Sequence, residues 1–194
     1  PATHLLYLHG LRPSPRAAKA QVMARHVAAG PPAAHWWAPQ LPPSPREAMA
    51  LVMEGIREWP RGAMAVVGSS LGGFYATHVA AATGCRAVLL NPAVDPARDL
   101  ARYIGDQTQW HAPEEHFYFK AEYIEELRAL EAGALPHPER CLAVVAKGDE
   151  VLKWEEMAAR YPGSRIKLLE GGDHALSDFE VAHLRDVLDF LHLA

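Results

Sequence analysis

Met64-Ala65-Val66-Val67-Gly68-Ser69-Ser70-Leu71-Gly72-Gly73 joins a short apolar run to a run of helix formers. Residues 63–67 are apolar and short enough to be a buried strand. Residues 74–83 favour a helix, and Gly84 stands where a left-handed cap would end it. Gly68-x-Ser70-x-Gly72 therefore falls at a strand-to-helix turn, a position that forces the central serine into a strained and exposed conformation. A side chain at either flanking glycine would collide with the neighbouring strand or helix. Ser70 is thus a candidate nucleophile. Ser69 is its rival, one residue off the centre of the glycine frame.

Working outward, strands and helices alternate along the chain, the signature of a parallel sheet covered on both faces. Strands are expected at 4–8, 35–37, 63–67, 86–90, 141–146 and 165–169. Pro13 and Pro15 open a helix that runs to about Ala29, where Gly30-Pro31-Pro32 stops it. Ser44, with Glu47 three residues on, has the spacing of a capping box and starts a helix to about Trp59. A last helix over about 177–192 carries Phe179, Leu184, Val187, Leu188 and Leu191 at helical spacing. One interval breaks the alternation. Residues 93–140 are too many for one crossover, and an insertion at about 95–138 reads as a small cap. It holds a helical stretch, 120–132, and an aromatic-rich segment, 110–119.

The 194 residues suffice to bury about 70% of the unfolded surface in one domain, 1–194. Hydrophobic residues make up 49% and charged residues 22%, an ordinary globular balance. A net charge of −4 and no basic run argue against nucleic acid or an anionic membrane as partner. No stretch reaches the ~18 apolar residues of a membrane span. No basic n-region with a long apolar run stands at the start. Together with two cysteines, Cys85 and Cys141, read as reduced thiols, this sets the expectation of a cytoplasmic enzyme. The glycines of 68–73 lack both phosphate-loop spacings, so no nucleotide cofactor is expected.

In an open parallel sheet, ligands bind at the carboxyl ends of the strands. Of the eleven histidines, His174 follows the last strand directly. Asp149 follows the strand before it, with Glu150 adjacent and Asp95 as another possible acid. The order Ser70, Asp149, His174 is that of nucleophile, acid and base in α/β-hydrolases. His174, with an intrinsic pKa near ~6.5, would take the serine proton and pass it to the leaving group. Asp149 would orient the imidazole. Leu71 N–H at the helix start, and Leu11 N–H after the first strand, are the expected oxyanion donors. His9 reads as an orienting residue for that loop, and Asp173 as a turn residue. His111 and His116, with Glu114 and Glu115, read as solvated cap surface, because a spacing of five does not put both rings on one helical face. No metal is expected.

Leu6-Tyr7-Leu8-His9-Gly10, Pro39-Gln40-Leu41-Pro42, Gly68 to Ala76, Leu90-Asn91-Pro92-Ala93, Gly148 to Leu152 and Glu170 to His174 together resemble the YqiA-type small bacterial esterases. The likeness runs in order over nearly the whole chain. It implies a three-layer α/β-hydrolase fold of reduced size: a minimal, mostly parallel sheet of about six strands, helices on both faces and a small cap insertion. It also implies esterase activity on short-chain esters, a small-molecule substrate and no cofactor. By motif, the family's nucleophile falls on Ser70, its acid on Asp149 and its base on His174. Two departures stand out: Leu11-Arg12-Pro13-Ser14-Pro15 in the oxyanion loop, and Lys153-Trp154 after the acid. The first touches the pocket mouth and so bears on substrate preference. Thioesters and amides share the acyl-enzyme route, and a non-catalytic binding module on the same fold is the alternative from another class.

Overall fold

The computed structural model describes residues 2–10, 17–30, 33–101 and 120–193. Strands β1 (His4–Leu8), β2 (His35–Trp37), β3 (Met64–Ser69), β4 (Arg86–Leu90), β5 (Cys141–Ala146) and β6 (Arg165–Leu169) form one sheet in the order β2-β1-β3-β4-β5-β6. Every pairing is parallel, from His4 against His35 to Ala146 against Leu169. The four central strands are apolar on both faces because both faces are covered. Alternate residues divide cleanly: Leu6, Leu8, Val66 and Leu89 enter one core, and Leu5, Tyr7, Val67 and Leu90 the other. Each fully buried aliphatic side chain of this kind contributes about 1.5–3 kcal/mol.

The first core is closed by α2 (Pro45–Gly55), α3 (Leu71–Thr83), α5 (Glu122–Ala129) and α6 (Trp154–Arg160), with α4 (Pro96–Ala101) beside α5. The second is closed by α1 (Ala18–Ala29) and α7 (Leu184–Phe190). The result is a three-layer α/β fold. Helix α3 is buried almost all round, as a helix at the centre of a layer must be. It ends at Gly84 in a left-handed conformation, φ 74°, as the sequence leads one to expect.

Strand order reverses between β1 and β3: the chain leaves β1 toward β2 on one side, then returns to lay β3 on the other. The carboxyl ends of β1 and β3 therefore flank a topological switch point, where such sheets leave a crevice.

Two helix ends stand apart from the sequence reading. Helix α2 stops at Gly55 instead of continuing to Trp59, because Arg61 Nη1 donates to the Ile56 carbonyl at 2.9 Å and to the Trp59 carbonyl at 3.3 Å, ending the ladder early. At its start the Ser44 hydroxyl accepts from Glu47 N–H at 3.2 Å, but donates to Glu126 of α5 at 2.5 Å. The last helix begins at Phe179, not 177: Leu176 sits at φ 50° and its carbonyl accepts the Phe179 N–H at 2.9 Å, so Ser177 and Asp178 form a turn ahead of the helix. It enters through a wide π turn, Phe179–His183, before α7. Of the insertion, α4 and α5 are described, and Tyr123, Ile124 and Leu127 join the core. The aromatic segment 110–119, His111, His116 and the proposed helix start at Pro13 and Pro15 lie outside the described residues. Cys85 and Cys141 are both free and buried at the start of neighbouring strands. Burial first, and then the nearby Cys85, push the Cys141 thiol up to about 12.

Candidate active site

Ser70 occupies the turn between β3 and α3 at φ 58°, ψ −120°, a conformation that costs a residue with a Cβ about 1–3 kcal/mol. Backbone bonds hold it there. Its N–H donates to the Leu90 carbonyl at 3.1 Å, and its own carbonyl accepts from Gly73 and Ala93 N–H, both at 2.9 Å. A Cβ on Gly72 would lie 2.0 Å from the Leu8 carbonyl oxygen and 2.6 Å from that of His9. Only glycine lets the first turn of α3 rest against the end of β1. The Ser70 side chain makes no capping bond to its helix, which leaves Oγ available. Ser69, the rival nucleophile, closes β3 beside the Tyr7 hydroxyl.

The Ser70 hydroxyl meets His174 Nε2 at 3.0 Å, and His174 Nδ1 meets Asp149 Oδ2 at 2.6 Å. A carboxylate at Nδ1 fixes the proton of the neutral ring there, so Nε2 faces the serine with its lone pair. The Asp149 side chain is fully buried, and its other oxygen accepts the Val151 and Leu152 N–H groups at 2.7 Å each. Those two bonds orient the carboxylate. The Asp149 and His174 turns touch directly: Gly148 N–H donates to the Gly171 carbonyl at 3.0 Å, and a Cβ on Gly148 would come within 2.2 Å of the Gly172 carbonyl oxygen.

The other acids go elsewhere. Asp95 accepts Arg98 N–H at 3.2 Å at the start of α4. Glu150 reaches the His174 backbone N–H at 3.1 Å, not the ring. Asp173 binds the Ser177 N–H at 2.9 Å and the Ser177 hydroxyl, closing the turn. The second departure from the family pattern has a local role. Trp154 opens α6 with Lys147 Nζ 4.9 Å from its ring centre, and the same Nζ donates to Glu170 at 3.0 Å.

His9 is 4% exposed and committed at both nitrogens. Nε2 accepts Leu41 N–H at 3.0 Å, so Nδ1 carries the proton and donates to the Gly10 carbonyl at 2.6 Å. Burial lowers its pKa, opposed by the bond to Gly10. The ring thereby ties the end of β1 to the Pro39–Pro42 loop. Leu71 is the first residue of α3, where an N–H has no acceptor within its own helix. Leu11 lies outside the described residues.

One residue escapes sequence reasoning. Asn91 enters the sequence reading only within the Leu90–Ala93 motif, with no role attached, yet it is fully buried at φ 42° between the Asp149 and His174 turns. Its signal is an Asn-Pro step after a strand that does not need a turn residue of that polarity. Among the described residues no group of three or more His, Cys, Asp and Glu could hold a metal ion, and no helix is long and apolar enough to cross a membrane.

The pattern of the family described as Uncharacterised protein family UPF0227 matches residues 4–192. The chain belongs to this family, the one to which the YqiA type belongs. Its fold is that of the α/β-hydrolases. Mouse alpha/beta hydrolase domain-containing protein 10 superposes with a TM-score of 0.76 at 17% identity, over 97% of this chain and 89% of the other. Est1E from Butyrivibrio proteoclasticus, solved with ferulic acid bound, gives 0.71 at 12% identity, over 98% and 86%. The Pyrococcus furiosus esterase Pf2001 gives 0.62 at 14%, over 98% and 81%.

Proposed function

We propose that this UPF0227 protein is a serine hydrolase that cleaves carboxylic esters of short acyl groups through an acyl-enzyme on Ser70. The observation that carries the reading is the continuous chain from Ser70 Oγ through His174 to buried Asp149, built on a serine held at positive φ. A serine hydroxyl is too weak an acid to ionise near neutral pH, so it needs the base that Nε2 supplies. Ser70 Oγ attacks the ester carbonyl as His174 takes its proton. The imidazolium, stabilised by Asp149, then protonates the departing alkoxide. Water repeats the sequence to free the acid and restore the serine. Leu71 N–H and the positive end of α3 stabilise the oxyanion, with Leu11 N–H as second donor.

A cavity of about 280 Å³ runs along α3 between Phe74, Ala93 and Tyr161 and the charged Asp95, Glu131 and Arg160, and none of Ser70, Asp149 and His174 lines it. The test is turnover of p-nitrophenyl acetate and butyrate by wild type and Ser70→Ala. Wild type should turn over both, and the variant should lose about 10⁴-fold or more in kcat. Equal rates for the two proteins would end the proposal. Acyl-CoA and anilide substrates run alongside rank esters against thioesters and amides.

A further inference from the structure

We infer that Asn91 is a positioning residue for His174, locking the base turn to the strand that leads to the acid. The inference rests on the hydrolase reading for its kinetic consequences, but not for its geometry.

The Asn91 amide uses three hydrogen bonds, all away from solvent. Its Oδ1 accepts the Ala146 N–H at the end of β5 at 2.9 Å. Its Nδ2 donates to the Asp173 carbonyl at 3.0 Å and to the His174 carbonyl at 3.1 Å. The backbone adds a fourth bond, Asn91 N–H to the Val144 carbonyl at 2.9 Å. Ala146 in turn accepts the Asp149 N–H at 3.2 Å. One side chain thus joins the backbone that presents the acid to the backbone that presents the base.

The corner containing Asn91 also touches the nucleophile. The Leu90 carbonyl and Ala93 N–H, on either side of Asn91-Pro92, are the two groups that clamp the Ser70 backbone. Leu90 to Ala93 therefore contacts all three turns of the site without touching a reacting atom.

The grip is needed because the base turn is intrinsically loose. Gly171-Gly172 precedes Asp173, and Gly172 takes φ 86°, a flexible lead-in; the Asp173–Ser177 bonds close the turn on itself but do not tie it to β5. Other bonds to this turn, from Lys19 to the Ala175 carbonyl and from His174 N–H to Glu150, are exposed and compete with water. The residue type is also specific. Only a primary amide offers two donors and an acceptor in one plane at this length. Positive φ is tolerated by asparagine better than by most residues.

The experiment compares wild type, Asn91→Gly and Asn91→Asp. Glycine accepts the φ and removes all three side-chain bonds. Aspartate keeps the acceptor for Ala146 and the shape, but presents oxygen to two carbonyls. Three quantities are read: thermal unfolding, kcat and KM on p-nitrophenyl butyrate per fluorophosphonate-titrated site, and the low-field proton resonance of His174 Nδ1–H. The expected result is a kcat loss of about 10²-fold for Asn91→Gly and about tenfold for Asn91→Asp, with KM nearly unchanged and the resonance shifted or broadened. A folded variant with wild-type kcat per site and an unmoved resonance overturns the inference, as do two variants that both fail to fold, since Asn91 would then serve folding alone. If wild type itself is inert, the hydrolase reading fails and the resonance still decides: moved in the variants, Asn91 positions the ring; unmoved, it does not.

Discussion

The two ends of the sheet carry histidines that do opposite things. At the carboxyl end, His9 and His174 are each held by hydrogen bonds at both ring nitrogens, so ring orientation and proton position are fixed. At the amino end, His4 and His35 face each other across β1 and β2, with ring centres 5.5 Å apart and Trp59 against both at 5.1 and 5.7 Å. There the rings act as aromatic packing between edge strand β2 and its neighbour β1, and among the described residues the one directional bond to them is that between the Thr3 hydroxyl and His4 Nδ1. The same side chain is a chemical group where the strands point and a wedge where they begin. Topology, not residue type, makes the difference: the switch point gathers loop ends at one rim only.

The comparison breaks most sharply at Asp149. In Asp149→Asn the amide nitrogen must face either the His174 ring or the Val151 and Leu152 N–H groups, and each choice sets donor against donor. If it faces the ring, the imidazole turns to the wrong tautomer and Nε2 can no longer take the serine proton. A loss of about 10³–10⁴-fold in kcat is expected, measured on p-nitrophenyl butyrate. A loss below tenfold would remove Asp149 from the acid role.

Next comes Gly72→Ala, which acts through the backbone. The added methyl must push the start of α3 off the Leu8 and His9 carbonyls, and neither is a flexible group. The expected cost is about 1–3 kcal/mol in urea unfolding, together with reduced fluorophosphonate labelling as Leu71 N–H moves. An alanine variant with wild-type stability would show that the close approach is not a constraint.

These contacts explain how much was legible beforehand. The strands could be read because a two-sided parallel sheet demands continuous apolar runs, and β4, β5 and β6 fall on the expected residues. Ser70, His174 and Asp149 could be singled out because each follows a strand directly, so their meeting needs only the sheet order. Asn91 could not, because its partners are carbonyls and an N–H, which every sequence has and no composition reveals. The early end of α2 and the late start of the last helix escaped for a similar reason. The first depends on Arg61 reaching back to two carbonyls, and the second on a positive φ at Leu176, a residue whose type gives no hint of it.

The smallest effects concern protons. The His9 pKa is held below its ordinary value by burial, so below about pH 6.5 the unfolded chain binds a proton that the native protein resists. Stability then falls with falling pH, by at most about 1.4 kcal/mol per pH unit from this group. His9→Leu removes that slope but orphans the buried Leu41 N–H, at a cost of about 1–3 kcal/mol near neutrality. The stability gap between wild type and His9→Leu should therefore narrow from pH 7.5 to 5, as followed by thermal unfolding, and activity should fall with the loosened loop. His4 is shifted the same way, by burial and then by His35, but it is more exposed and far from the chemistry. His4→Phe keeps the ring against Trp59, leaves kcat unchanged and only slightly flattens the acid side of the stability curve. A change in kcat for His4→Phe would mean that the amino end of the sheet is coupled to the site, and the contrast between the two rims would fail.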